Sequence, residues 1–554
     1  DRAALAKIEP ERSELTDPIS PRTPAEEILA GIWSEVLGVE RIGVNDDFFG
    51  LSGHSLLATR VVAQVREAFG VEIPLRRLFE RATLGELARD IEALAVPGAA
   101  PAAPAIVPVP RDRPIPASFY QEFGYRTPDV SKNSIPFSLR LRGKLDIPAL
   151  RCTLDALVRR HESLRTFFRE ENGEVFQEIA PPAERPLPVI DLLALPEERR
   201  AGVLYQLAAD HADQAFDLER GPLLLFQLVR LSEEDHGLLL NIHHIISDGW
   251  SIAVLQRELT VLYGAFATSR PSPLPPLPIQ FADFAGWQRE LHAGEALASQ
   301  LAWWTRTLAD PPPSPALPRG LPRPAVLGPR TLAAEMVIPG ESAAALRTLA
   351  RSNGCTVSML LLTAANALLH HHSGEEDLII NTIFSARNRP ELAGLVGLLM
   401  NTIPVRVDLS GRPTFRTLLH RVRDAVLAGY SRQEVPFPRI LAELFPGRPF
   451  SRTLLSGINF NFLSFGEAGV GPSPPAIPGG LQATPFAAAE EVAKQDLLFN
   501  CRDTGDAIRC QLVGAADLFL PEGMAALAAD LEDLLKRAAA SLDEPLSHRL
   551  AGPG

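Results

Sequence analysis

The chain has 554 residues, 46% hydrophobic and 22% charged, an ordinary soluble globular composition that divides into roughly three or four units of ~150 residues. A formal net charge of −13, with no long Lys/Arg run, excludes a general nucleic-acid binder, because a phosphate backbone repels such a surface. No stretch reaches the ~18 uninterrupted apolar residues of a membrane helix, and none reads as a signal peptide. Cys152, Cys355, Cys501 and Cys510 are scattered without CxxC spacing and read as reduced thiols of a cytoplasmic protein. A first residue of Asp1 rather than Met reads as a monomeric fragment of something longer.

Residues 1–20 are polar and carry Pro10 and Pro18, a linker. Residues 21–95 read as a small helical bundle. Thr23, Pro24 and Glu26 form a capping box with Pro at the first helical position. Ile28, Ile32 and Val36, with Leu29 and Trp33 beside them, make one apolar stripe. A second helix is predicted over Ser55–Phe69, burying Leu57, Val61, Val65 and Phe69 and ending at Gly70. A last helix starts at Thr83, with Glu86 closing another capping box. Residues 96–111 are Ala/Pro-rich and predict an extended spacer.

Beyond it, strand-like and helix-like runs alternate. Leu223–Leu231 and Leu238–His243 flank a polar turn, a hairpin. Ile252, Leu255, Leu259 and Leu262 are helix-spaced, and Leu378–Ile383 and Thr402–Val407 read as strands. Dense Pro and Gly at 311–328 divide two mixed α/β halves, 112–310 and 329–550.

Two strings carry chemistry. In Asp46-Asp47-Phe48-Phe49-Gly50-Leu51-Ser52-Gly53-His54-Ser55-Leu56, Ser55 opens a helix, where free N–H groups and the dipole favour an anion such as a phosphodiester. Taken alone it reads as an N-cap. In His243-His244-Ile245-Ile246-Ser247-Asp248-Gly249-Trp250-Ser251, the two histidines end a strand and face opposite ways, so only one can meet a given substrate. Alone, each reads as a hydrogen-bonded core histidine, and Asp248 as the N-cap of the following helix.

The first string resembles the carrier-domain motif DxFFxLGGHSL, with Ser52 where Gly is usual. The resemblance implies that Ser55 receives 4′-phosphopantetheine from a phosphopantetheinyl transferase and carries an acyl thioester. The second resembles the HHxxxDG core motif of nonribosomal peptide synthetase condensation domains. In chain order, Arg160–Thr166 matches RHExLRT, Phe281–Trp287 resembles YxDFAxW, Val396–Thr402 resembles VGxFVNT, Gln433–Phe437 resembles QDxPF, and Ser451-Arg452 matches a late SR. Ser118–Tyr125 departs from SxAQxRLWxL, with Tyr120 for Ala and Phe123 for Arg.

This resemblance implies a multidomain chain: an all-α four-helix-bundle carrier, then an α/β condensation domain of two chloramphenicol-acetyltransferase-like lobes in a V with the site at their seam. It implies a catalytic set of His244, Asp248 and Gly249, supported by His243, Arg387, Ser251 and Asn401, with Arg387 pairing with Asp248. His244 would accept the amine proton, orient the amine or stabilise charge; the sequence leaves these open. The carrier would deliver the donor to an amine on a downstream aminoacyl carrier. Residues 1–5 resemble the tail of an upstream adenylation domain. Antibiotic or siderophore biosynthesis is the implied setting, with no nucleic acid, membrane or metal partner.

Three rival readings stand beside it, the first of which shares the fold. An epimerisation domain continues DGxSW, whereas Trp250 precedes Ser251 here. Heterocyclisation replaces the histidine pair with DxxxxD. A non-catalytic platform recruiting other enzymes is disfavoured by an intact His244 and Asp248. His370-His371-His372 reads as a solvent-exposed helix end rather than a metal site, and Glu490-Glu491 as a solvated loop.

Overall fold

The computed structural model describes residues 21, 23–39, 42–51, 53, 55–69, 71–80, 83–94, 105–127, 130–293, 297–315, 321–324, 327–328, 330–387, 389–448, 453–464, 480–486 and 495–545. Gly70, Ser451-Arg452 and Glu490-Glu491 lie outside the described residues.

The first unit is a bundle of α1 (Pro24–Leu37), α2 (Ser55–Phe69), α3 (Leu75–Glu80) and α4 (Leu84–Leu94). Thr23 and Glu26 form the expected capping box. Leu29, Ile32, Trp33 and Val36 fill the core at i, i+3, i+4 and i+7 spacing, and this displaces Ile28, which is 43% exposed instead of buried. Trp33 meets Phe48 edge-on at 5.2 Å. The short α3 has no signal in the periodicity.

The larger unit has two α/β lobes. The first is built on a five-stranded sheet of β2 (Ser134–Arg142), β5 (Val189–Asp191), β6 (Leu224–Ser232), β7 (Asp235–His243) and β12 (Gln482–Phe486), in the order β12-β2-β7-β6-β5. The predicted hairpin is β6–β7, pairing Leu224 with Ile242. A small sheet of β1 (Ile115–Pro116), β3 (Thr166–Glu171) and β4 (Glu174–Ile179) flanks it. Its helices include α5 (Phe119–Arg126), α6 (Ile147–Arg160), α7 (Glu197–Ala212), α8 (Gly249–Phe266), α9 (Phe281–Ala293) and α10 (Ala298–Thr307). The second lobe has a six-stranded sheet of β8 (Thr331–Pro339), β9 (Asp377–Ser385), β10 (Met400–Asp408), β11 (Ile458–Ser464), β13 (Leu497–Asp503) and β14 (Ala507–Ala515), in the order β10-β9-β11-β13-β14-β8. Its helices are α11 (Gly340–Ser352), α12 (Val357–Ser373), α13 (Phe415–Tyr430), α14 (Phe437–Leu444) and α15 (Pro521–Ala540).

Four expectations are corrected. The second half is not confined to its own lobe, because β12 crosses back and pairs with β2 of the first lobe. The spacer does not run to residue 111: Ile106 is buried, and Arg111 bonds Asp283 and Glu162 at 2.7 Å each. Cys501 and Cys510 are not separate thiols; they stand opposite one another on β13 and β14 and are bonded at 2.30 Å. Antiparallel register brings them together, which spacing along the chain does not reveal. The histidine run is not a solvent-exposed end: His370 is buried with Nδ1 2.7 Å from the Glu375 carbonyl, and His372 meets Asp530 of α15 at 3.0 Å. Among the described residues no group of three or more His, Cys, Asp or Glu could hold a metal ion, and no helix is long and apolar enough to cross a membrane.

Candidate active site

β7 delivers both histidines. His243 is fully buried; its Nδ1 accepts the Ile245 N–H at 3.1 Å, and its ring meets Phe216 edge-on at 5.5 Å. His244 begins a single 3-10 turn, His244–Ile246, and is partly exposed. Its backbone N–H donates to the Asn133 carbonyl at 2.8 Å. Gln121 supports this turn from α5 by donating through Nε2 to the Ile245 carbonyl at 3.2 Å, while its Oε1 accepts the Ser118 N–H at 3.0 Å. Sequence reasoning gave Gln121 no role, although the S-x-x-Q spacing of a capping box marks it.

Asp248 caps α8 and does more. Arg387 approaches its two oxygens at 2.6 and 3.1 Å, the Leu399 N–H donates to it at 3.0 Å, and the Ser251 hydroxyl donates at 2.7 Å. Burial opposes the charge, but the Arg387 guanidinium, with hydrogen bonds from Arg387 and Ser251, outweighs it and holds the carboxyl below the usual carboxylate range. Gly249 follows at the start of α8, exposed, with nothing within 4 Å of where a Cβ would stand. The turn itself therefore does not demand glycine; Gly249 leaves an open backbone face.

The seam between the lobes runs through this turn. Ser251 Oγ accepts the Gly397 N–H at 3.1 Å, Trp250 Nε1 donates to the Ala393 carbonyl at 2.9 Å, and Ser163 Oγ donates to the Val396 carbonyl at 2.8 Å. Gly397 is required here: a Cβ would stand 2.0 Å from the Phe281 ring. Asn401 stands apart from the Asp248 cluster. It donates to the Gln433 and Val435 carbonyls at 2.8 and 2.9 Å and accepts the Phe437 N–H at 3.0 Å, which clamps the 433–437 string. The departure at Tyr120 also bridges the lobes, its hydroxyl 2.8 Å from Thr402 Oγ1, and Phe123 packs into the second lobe's core.

His292 of α9 also lies at this seam. Burial pushes its imidazole down to about 4; the Glu434 carbonyl, 3.1 Å from Nε2, opposes this, and Arg439 and Arg289 add to it. The unfolded chain takes up this proton near the ordinary 6.5, while the folded chain refuses it until about 4. Stability is therefore expected to be intact above the first value and to decline as pH falls toward the second. The slope should stay below ~1.4 kcal/mol per pH unit, because the ring is partly solvated. Denaturant melts across this window should show a shallower decline in His292→Gln; identical slopes would remove His292 from the account.

In the first unit, α2 starts at Ser55 and has no acidic residue in its first turn. Gly53 donates its N–H to the Phe48 carbonyl at 2.9 Å, and a Cβ on Gly53 would fall 2.4 Å from that oxygen and 2.5 Å from the Phe48 ring. Only glycine allows the backbone to lie this close before the helix. A helix start free of acids suits a phosphodiester.

Residues 122–551 match the family described as Condensation domain, and residues 27–91 match the Phosphopantetheine attachment site. The chain belongs to the condensation-domain family and carries a phosphopantetheine attachment site ahead of it. It is similar to one of the linear gramicidin synthase proteins of Brevibacillus parabrevis, 42% identical over 446 residues, covering 80% of this chain and 6% of that protein. It is also similar to the dimodular nonribosomal peptide synthase of Bacillus subtilis (strain 168), 35% identical over 563 residues, covering 99% of this chain and 23% of that protein. The chain thus spans under a quarter of either relative. Among solved structures, the X-domain in its complex with OxyB from teicoplanin biosynthesis is similar at a TM-score of 0.73 and 28% identity, covering 82% of this chain and 100% of that one.

Proposed function

We propose that Ser55 carries the phosphopantetheine arm with a donor acyl group, and that the condensation domain joins this donor to an amine on a downstream carrier. The observation that carries this reading is the accessible His244, beside a buried His243 and next to the clamped Asp248, in a chain of the condensation-domain family. The arm, when attached, supplies a thiol that holds the acyl group as a thioester. His244 accepts the proton of the attacking nitrogen or orients that nitrogen. Asp248 and Arg387 hold the turn, and the backbone of Gly249 is open toward the reacting carbonyl. An upstream adenylation domain and a separate phosphopantetheinyl transferase load the carrier.

The test uses the full chain with a promiscuous transferase, an aminoacyl donor and an amine-loaded carrier. A single arm should appear by intact mass and be absent in Ser55→Ala. Amide product should form on the acceptor carrier with the wild type and be lost in Ser55→Ala. An undiminished mass shift in that variant would move the attachment site elsewhere.

A second reading has one observation behind it, the likeness to an X-domain solved in complex with OxyB. On that reading the domain is a platform that binds another protein. Absence of amide product from doubly loaded carriers, despite an intact loaded Ser55, would favour it.

A further inference from the structure

The two units touch. The start of the contact is aromatic: Phe79 of α3 stacks on Phe49 at 4.7 Å within the bundle, and it also packs against the core of the second lobe. From the other side Tyr430, at the end of α13, packs against the bundle core and meets Phe384 edge-on at 5.4 Å. Phe384 lies on β9 directly opposite Asn401. α2 touches the Pro390–Leu392 turn, and α3 touches α13. This turn belongs to the stretch that grips the histidine turn: Arg387 holds Asp248, Ala393 accepts from Trp250, and Gly397 and Leu399 donate to Ser251 and Asp248.

We propose that Arg389, the Pro390–Leu392 turn, Tyr430 and Glu434 form the seat from which this chain's own carrier unit presents its load, with Phe79 as the anchor. The inference rests on the donor-delivery reading above. It adds the surface, and it places that surface on the same stretch of chain that positions Asp248.

Charged groups face one another across the seat. Arg66 and Glu72 of the carrier lie within electrostatic reach of Arg389 and Glu434. Burial lowers the Arg389 guanidinium's affinity for its proton, and Arg66 lowers it further; Glu391, Glu434 and Glu72 oppose this. Burial likewise raises the Glu434 carboxyl, and Glu72 raises it further, against Arg389 and Arg66. Like charges (Arg66 with Arg389, Glu72 with Glu434) and opposite charges (Arg66 with Glu434, Glu72 with Arg389) are therefore mixed across the contact. An aromatic anchor ringed by mixed charges suits a carrier that must also visit other partners.

The experiment uses the full chain. Hydrogen–deuterium exchange of segments covering Arg389–Leu392 and Leu427–Glu434 is compared in the wild type, Phe79→Ala, Tyr430→Ala and Tyr430→Phe. Arm attachment to Ser55 and thermal melts check that each variant folds. Both alanine variants should exchange several-fold faster at these segments, and Tyr430→Phe should restore protection. Transfer from the Ser55-linked donor, divided by transfer from a soluble N-acetylcysteamine thioester of the same acyl group, should fall about tenfold in both alanine variants. Unchanged exchange with an unchanged ratio would overturn the seat. A raised ratio would also overturn it, since the contact would then park the carrier away from its task. If the wild type transfers from neither donor, the condensation reading fails, and exchange still decides the seat.

Discussion

His244→Ala is expected to fold, to accept the arm at Ser55, and to lose ~10²-fold or more of its amide-forming rate if the imidazole acts as a general base. Neither folding nor loading depends on this ring, which sits partly exposed on a turn held by other groups: Asn133 takes its backbone N–H, and Gln121 takes the Ile245 carbonyl. A smaller loss would assign it to orienting an amine that is already neutral. His243→Ala should act through stability, because the Ile245 N–H would lose its buried acceptor, at ~1–3 kcal/mol, and the ring its packing on Phe216. Single-turnover rates with both carriers loaded, set beside thermal melts, separate the two. A stable His243→Ala that abolishes condensation, with a fully active His244→Ala, would reverse the assignment.

Asp248→Ala is expected to cost ~3–5 kcal/mol of stability as well as activity, because it strands the Arg387 guanidinium in a buried site. The two side chains are 7% and 2% exposed, too dry for water to replace the missing partner. Arg387→Ala should lose a similar amount, and the double variant much less than the sum, since each single change already removes the pair. The pH dependence has a definite sign. The folded carboxyl sits below its ordinary 3.8, so its contribution is complete above that value and is lost only as pH falls through the lower, folded one. Full stability in Asp248→Ala with lost activity would instead give the carboxylate a direct part in the chemistry.

What could be read in advance follows the range of the interactions. The Thr23–Glu26 cap, the β6–β7 hairpin and the start of α2 at Ser55 arise from neighbours along the chain, and they were legible in residue order. The Asp248–Arg387 pair spans 139 positions and was suggested only by resemblance. Three features carried no local mark. Cys501 and Cys510 meet through strand register, Ile106–Arg111 looks like spacer but docks on Asp283, and Phe79 serves two cores at once. Gln121 was visible as a capping residue, but its second bond, to Ile245, depends on α5 lying under the histidine turn.

The return of β12 to the first sheet bears on how such chains can be recombined. Its pairing with β2 covers an edge that would otherwise expose a row of unpaired backbone groups. A junction placed in the Pro-rich stretch at 311–328 would strip that strand from the histidine-bearing lobe and leave a sticky margin. The lobes are therefore not exchangeable cassettes, and grafting between related synthetases has to move them together.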